Sequence, residues 1–131
     1  MIRSEAREIA FAIIFEKSIN DEPVEALIAM SEECGETKFN AFSISLIKGV
    51  SDNIETIDKD IESNLKGWSV SRISKTALAI LRLAIYEIKF CDDTPDSVAA
   101  NEAVELAKKY CNEDEPSFVN GIIGAVIKAK S

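Results

Sequence analysis

The sequence predicts an all-α protein: a single compact helical bundle of about six to seven helices, with residues 1–131 as one domain. The bundle divides into two subbundles, the three N-terminal helices and the C-terminal remainder. Three observations predict it. Only five glycines and three prolines interrupt 131 residues. No alternation of apolar and polar residues survives beyond a few positions, and apolar residues recur instead at steps of three and four. The 47% apolar share is ample for one core at this length.

The first helix is expected from Ser4 to about Lys17, turning Ile9, Ala10, Ile13 and Ile14 inward, with Phe11 and Phe15 on a flank. Asn20-Asp21-Glu22-Pro23 reads as a turn, with Pro23 at the first position of a second helix that fades near Cys34-Gly35. From Phe39 to Leu65 the steps of three and four run almost unbroken, which predicts one long helix kinked near Gly49 and ended by Lys66-Gly67-Trp68. A short helical turn from Val70 to Ser74 leads into Thr76–Cys91, apolar on almost every side and therefore central and buried. Thr94-Pro95 reads as an N-cap and first-position pair for a helix running to about Tyr110. Glu115-Pro116 repeats that device for a last helix, Ser117 to Lys130, where Gly121 and Gly124 are expected to admit a close neighbour.

Composition excludes several classes of function. There is no histidine, and the three cysteines (Cys34, Cys91, Cys111) stand far apart with no C-x-x-C. They form neither a disulfide framework nor a zinc site and fit a reducing cytoplasm. The start, MIRSEAREIA, lacks a signal-peptide pattern, and the stretch from Leu78 to Ile88 is broken by Arg82, Tyr86 and Glu87. A soluble cytoplasmic protein with no membrane association is expected. No Ser sits in G-x-S-x-G, no Gly-rich loop follows a strand, and the acids lie on polar helix faces, so neither an enzyme nor a cofactor or metal is expected.

The charge of −8 argues against bulk attraction to nucleic acid. It is, however, segregated. Residues 21–36 carry six acids and no base, and residues 52–62 carry five acids against Lys59. Residues 66–90 carry Lys66, Arg72, Lys75, Arg82 and Lys89 against Glu87, so a local positive face is expected there. Arg82 and Glu87 in the most buried helix, and Asn101 and Glu102 in the next, read as structural polar groups, with Arg82 bridging to Glu87 or Glu102.

The runs Ile80-Leu81-Arg82-Leu83-Ala84-Ile85-Tyr86-Glu87, Val98 through Lys108 (VAANEAVELAK) and Phe118-Val119-Asn120-Gly121 occur in an order and spacing that resemble the bacterial transcription antitermination factor NusB family. Ala6-Arg7-Glu8, and Trp68 with Arg72, resemble it too. The resemblance implies a non-enzymatic RNA-binding protein that pairs with a ribosomal small-subunit protein, called NusE in transcription. Together they would hold boxA-type RNA of ribosomal RNA leaders within the RNA polymerase antitermination complex.

Carried onto this sequence, the family's arginine-rich segment corresponds to Met1 through Arg7 and supplies Arg3 and Arg7, one helical turn apart. Two guanidinium groups so spaced could grip consecutive phosphates; otherwise they are ordinary surface arginines. Phe118 could stack on an unpaired base or belong to the core, and Asn120 could bond a base edge or be a buried amide. Phe11 and Phe15 are the partner-face candidates, with core packing as the alternative; exposed, they would serve a homodimer as readily as a different partner. Residue 77, often acidic in the family, is alanine here, which reads as a missing partner anchor. The sparse arginines predict weak binding of boxA-like RNA by the protein alone and dependence on its partner. The runner-up is a helical protein-interaction module with little intrinsic RNA affinity. Related domains are fused to ribosomal RNA methyltransferases, but after the last helix here only Ser131 remains, which leaves no room for one.

Overall fold

A computed structural model describes residues 2–35, 37–66 and 69–130. Among them are seven α-helices and one 3₁₀ turn, Val70–Arg72, with no strand. Gly67 and Trp68 lie outside the described residues.

Helix α1 (Arg3–Ile19) buries Ala6, Ala10, Phe11, Ile13 and Ile14. Pro23 serves α2 (Val24–Glu33) as its N-cap and not as its first residue, its carbonyl accepting from Ala26 and Leu27 N–H. The chain leaves α2 through Gly35, whose φ of 71° suits a residue without Cβ.

The long third helix is two helices, α3 (Ala41–Asp52) and α4 (Ile54–Glu62). The break falls at Asn53, with φ −115° and ψ 19°, and its side-chain amide donates to the Gly49 carbonyl at 2.8 Å. Competition of this kind from an Asn side chain ends helices. Leu46, Val50, Ile57 and Ile61 are nonetheless all buried, so apolar periodicity passes across the break unmarked. Asn40 and Ser43 form a reciprocal capping box that starts α3.

Helix α5 (Lys75–Phe90) is the central element foreseen, packing against α1, α3, α4, α6 and α7. Ser74 caps it by accepting from Ala77 N–H. Helices α1–α3 pack on one another, as do α5, α6 (Asp96–Tyr110) and α7 (Glu115–Lys130), which gives the two expected subbundles joined through α5. Residues of all seven helices enter one hydrophobic core.

Three local expectations are corrected. Thr94 does not cap α6: Pro95 is its N-cap, and the buried Thr94 hydroxyl has no hydrogen-bond partner among the described residues. Pro116 is not the first residue of α7, which begins at Glu115. Gly121 and Gly124 face open space, whereas at Gly49 an added Cβ would lie 2.1 Å from Tyr86 Cζ. The close approach therefore belongs to α3 and α5, where the Tyr86 ring lies across the glycine.

Candidate nucleic-acid interface

At the start of α1 the two arginines have opposite environments. Arg3 is exposed: its guanidinium carbon sits 4.3 Å from the centre of the Phe42 ring, and its Nη2 is 3.5 Å from an Asp93 carboxylate oxygen. Arg7 is buried, and its Nε donates to both oxygens of Glu87, at 2.8 and 3.1 Å. Its Nη1 lies 3.7 Å from Glu102, which also accepts from the Ser4 hydroxyl at 2.6 Å. The paired phosphate grip is thus corrected. An α-helix rotates about 100° per residue, so Arg7 lies some 40° round from Arg3, enough to turn it under α5 and α6.

Arg82 meets neither Glu87 nor Glu102. It is bound bidentately by Asp58 of α4, Nε and Nη2 donating at 2.9 and 2.8 Å. Five residues along a helix place Arg82 and Glu87 about 140° apart, too far round to meet. Lys89 likewise bonds Asp60 at 2.7 Å. The acidic run 52–62 therefore folds against the basic run 66–90 and neutralises two of its cations, which removes much of the expected positive face.

Phe118 and Asn120 open onto different clefts. Phe118 is half-buried beside Arg72, Ile73, Ser74, Asp114 and Glu115. Asn120 is exposed on a groove between α6 and α7 with Ser97, Asn101, Lys108 and Ser117. Asn101 is exposed too, and so is not the structural polar group the sequence suggested. The Phe118 cleft and Arg3 are also well separated along the bundle. Ser74, at the start of α5, bonds Glu115, while Glu87, near its end, bonds Arg7. The 16 residues of α5 span about 24 Å, so Arg3 and Phe118 lie near opposite ends of it.

Phe11 is a core residue, 5% exposed, its ring 5.0 Å from Tyr110 and 6.4 Å from Phe15. Phe15 is half-buried. The aromatic that this face offers to solvent is Tyr110, 44% exposed, which the sequence reading missed. Its position in the last turn of an amphipathic helix was the available signal. Tyr110 and Lys109 both donate to the Glu8 carboxylate, whose pKa is lowered by those two hydrogen bonds. The same contact with Glu8 raises the Tyr110 pKa. Ala77 is fully buried, so in this chain the position contributes to the core beneath α5 and presents no charged group.

Burial pushes the Cys111 thiol up to about 11, and burial with Glu87 and Asp93 nearby raises that of Cys91. Neither is a poised nucleophile. No helix among the described residues is long and apolar enough to cross a membrane.

A bundle of α-helices packed around a central α5, closed at one end by a buried Arg–Glu clasp, is the class of protein that this fold defines. Comparison with known proteins gives its family. The model of the NusB family matches residues 4–128, and the chain belongs to that family. The transcription antitermination protein NusB of Acetivibrio thermocellus is 48% identical over 99% of this chain and 91% of its own length. That of Clostridium novyi is 43% identical over 98% of this chain and 100% of its own. Among solved structures, a chain in the crystal structure of antitermination factors NusB and NusE in complex with dsRNA superposes with a TM-score of 0.87 at 28% identity. That match covers 98% of this chain and 99% of the other.

Proposed function

We propose that this chain is a cytoplasmic, non-enzymatic transcription antitermination factor that acts as one domain. With the ribosomal protein NusE it would bind boxA-type RNA of ribosomal RNA leaders and promote read-through by RNA polymerase. The observation that carries this reading is the near end-to-end likeness to a chain from the complex of NusB, NusE and dsRNA. Arg3 supplies a phosphate contact, Phe118 a base contact near the start of α5, and Asn120 a base contact in the groove between α6 and α7. Phe15 and Tyr110, on the face shared by α1 and α6, meet the protein partner, with Phe11 supporting them from beneath.

The test is a titration of the protein into fluorescently labelled boxA-type RNA and a scrambled control, with and without NusE, across a salt series. Preference for boxA that tightens with NusE is the expected result. A second reading, a protein-interaction module with little RNA affinity of its own, is favoured by the pairing of Arg7, Arg82 and Lys89 with carboxylates. It predicts NusE binding without any preference between the RNAs.

A further inference from the structure

We infer that Asp93 is an internal competitor for the RNA phosphate at Arg3, so that it sets the strength of this contact; the inference rests on the RNA-binding reading above. Four side chains fix the geometry. The Arg7–Glu87 pair, reinforced by Glu102, pins the first turns of α1 to α5 and α6. Phe42 of α3 stands against both arginines, 4.3 Å from the Arg3 guanidinium carbon and 5.5 Å from that of Arg7. The Arg3 guanidinium therefore rests on an aromatic ring and keeps its N–H groups for an anion, the arrangement that suits arginine to phosphate.

In the protein without RNA, that anion is Asp93, in the turn between α5 and α6. The contact is long, 3.5 Å, and solvent-facing, with 52% of the Arg3 and 75% of the Asp93 side chain exposed. Such a pair is weak and screened, so a phosphate can displace it. Displacement still has two costs: the lost pair, and the repulsion of a carboxylate left beside the phosphate. Asp93 thus subtracts affinity from the one exposed arginine of the described N-terminal segment. It does so without touching the fold, because it is neither buried nor part of the clasp.

The experiment compares wild type, Asp93→Asn, Asp92→Asn, Arg3→Ala and the Arg3→Ala/Asp93→Asn double variant. Each is titrated into fluorescein-labelled single-stranded boxA RNA with NusE present, at several salt concentrations. Asp93→Asn should tighten binding about two- to fivefold, the range of an exposed ion pair. Asp92→Asn makes the same charge change next door and should give less than about half that gain if pairing with Arg3 is what counts. Arg3→Ala should weaken binding and flatten the salt slope by about 0.7–0.9, one phosphate contact. In the Arg3→Ala background, Asp93→Asn should no longer tighten binding. Equal gains from the two aspartate variants, or a gain that persists without Arg3, would mean a general charge effect and overturn the inference. So would an Arg3→Ala variant that binds like wild type. If wild type does not bind the boxA RNA, the RNA-binding reading itself fails, a result separate from any ranking of variants.

Discussion

On one side of α5, Glu87 meets Arg7 of α1 with 1% and 5% of their side chains exposed; on the other, Arg82 meets Asp58 of α4 with 14% and 28% exposed. Both are arginine–carboxylate pairs with hydrogen bonds of 2.8–3.1 Å. Bond lengths therefore do not distinguish them; access of water does. When one partner of a buried pair is removed, the other is left charged in a medium that cannot solvate it. When one partner of a pair at the edge is removed, the survivor turns into water. The consequence of losing a contact is set by what the remaining group can do next.

The largest effect follows for Arg7→Ala, which strands the Glu87 carboxylate. Unfolding in urea should show a loss of about 3–5 kcal/mol. Replacing both partners at once, Arg7→Met with Glu87→Leu, should recover most of that, since no charge is then buried alone. A single variant that loses less than about 1 kcal/mol would erase the distinction between the two sides of α5.

Asp58→Ala frees the Arg82 guanidinium near the surface, and the expected loss is smaller, about 1–2 kcal/mol. Salt should then separate the two pairs further. Raising salt to 1 M shortens the screening length to about 3 Å, so the deficit of Asp58→Ala should shrink while that of Arg7→Ala holds. Denaturation in urea at low and high NaCl measures both, and parallel shifts would show that the pairs are equally wet.

The same contrast explains what could be read from the sequence. The all-α class, the central place of α5 and the inward positions Ala10, Ile13 and Ile14 of α1 were legible because apolar spacing reports burial directly. The division of residues 39–65 at Asn53 was not, because α3 and α4 turn their apolar residues to the same core and a single interrupting residue leaves the pattern in phase. The NusB-type motifs pointed to the correct family, yet the fate of each arginine was hidden. Arg3 and Arg7 look alike as letters, and only the packing of α5 and α6 over one of them decides which is a clasp. The partner of Arg82 was missed because it comes from another helix, 24 residues earlier. The groove that joins Asn101 to Asn120 likewise needs two helices side by side.

A third carboxylate extends the comparison into solvent. Glu8 accepts from Lys109 and Tyr110, and these bonds lower its pKa in the folded protein. The unfolded chain, with Glu near 4.3, therefore takes up a proton more readily than the folded one as the solution is acidified. The stabilisation from this contact is fully present above about pH 4.3 and is lost as pH falls through the lowered folded value. Because the site is open to water, its size is well under about 1 kcal/mol. Glu8→Gln should accordingly be slightly less stable than wild type at neutral pH, with the two unfolding curves converging as pH falls through the lowered folded value. A gap that widened on acidification would require the neutral carboxyl, and not the carboxylate, to be the form that Lys109 and Tyr110 hold.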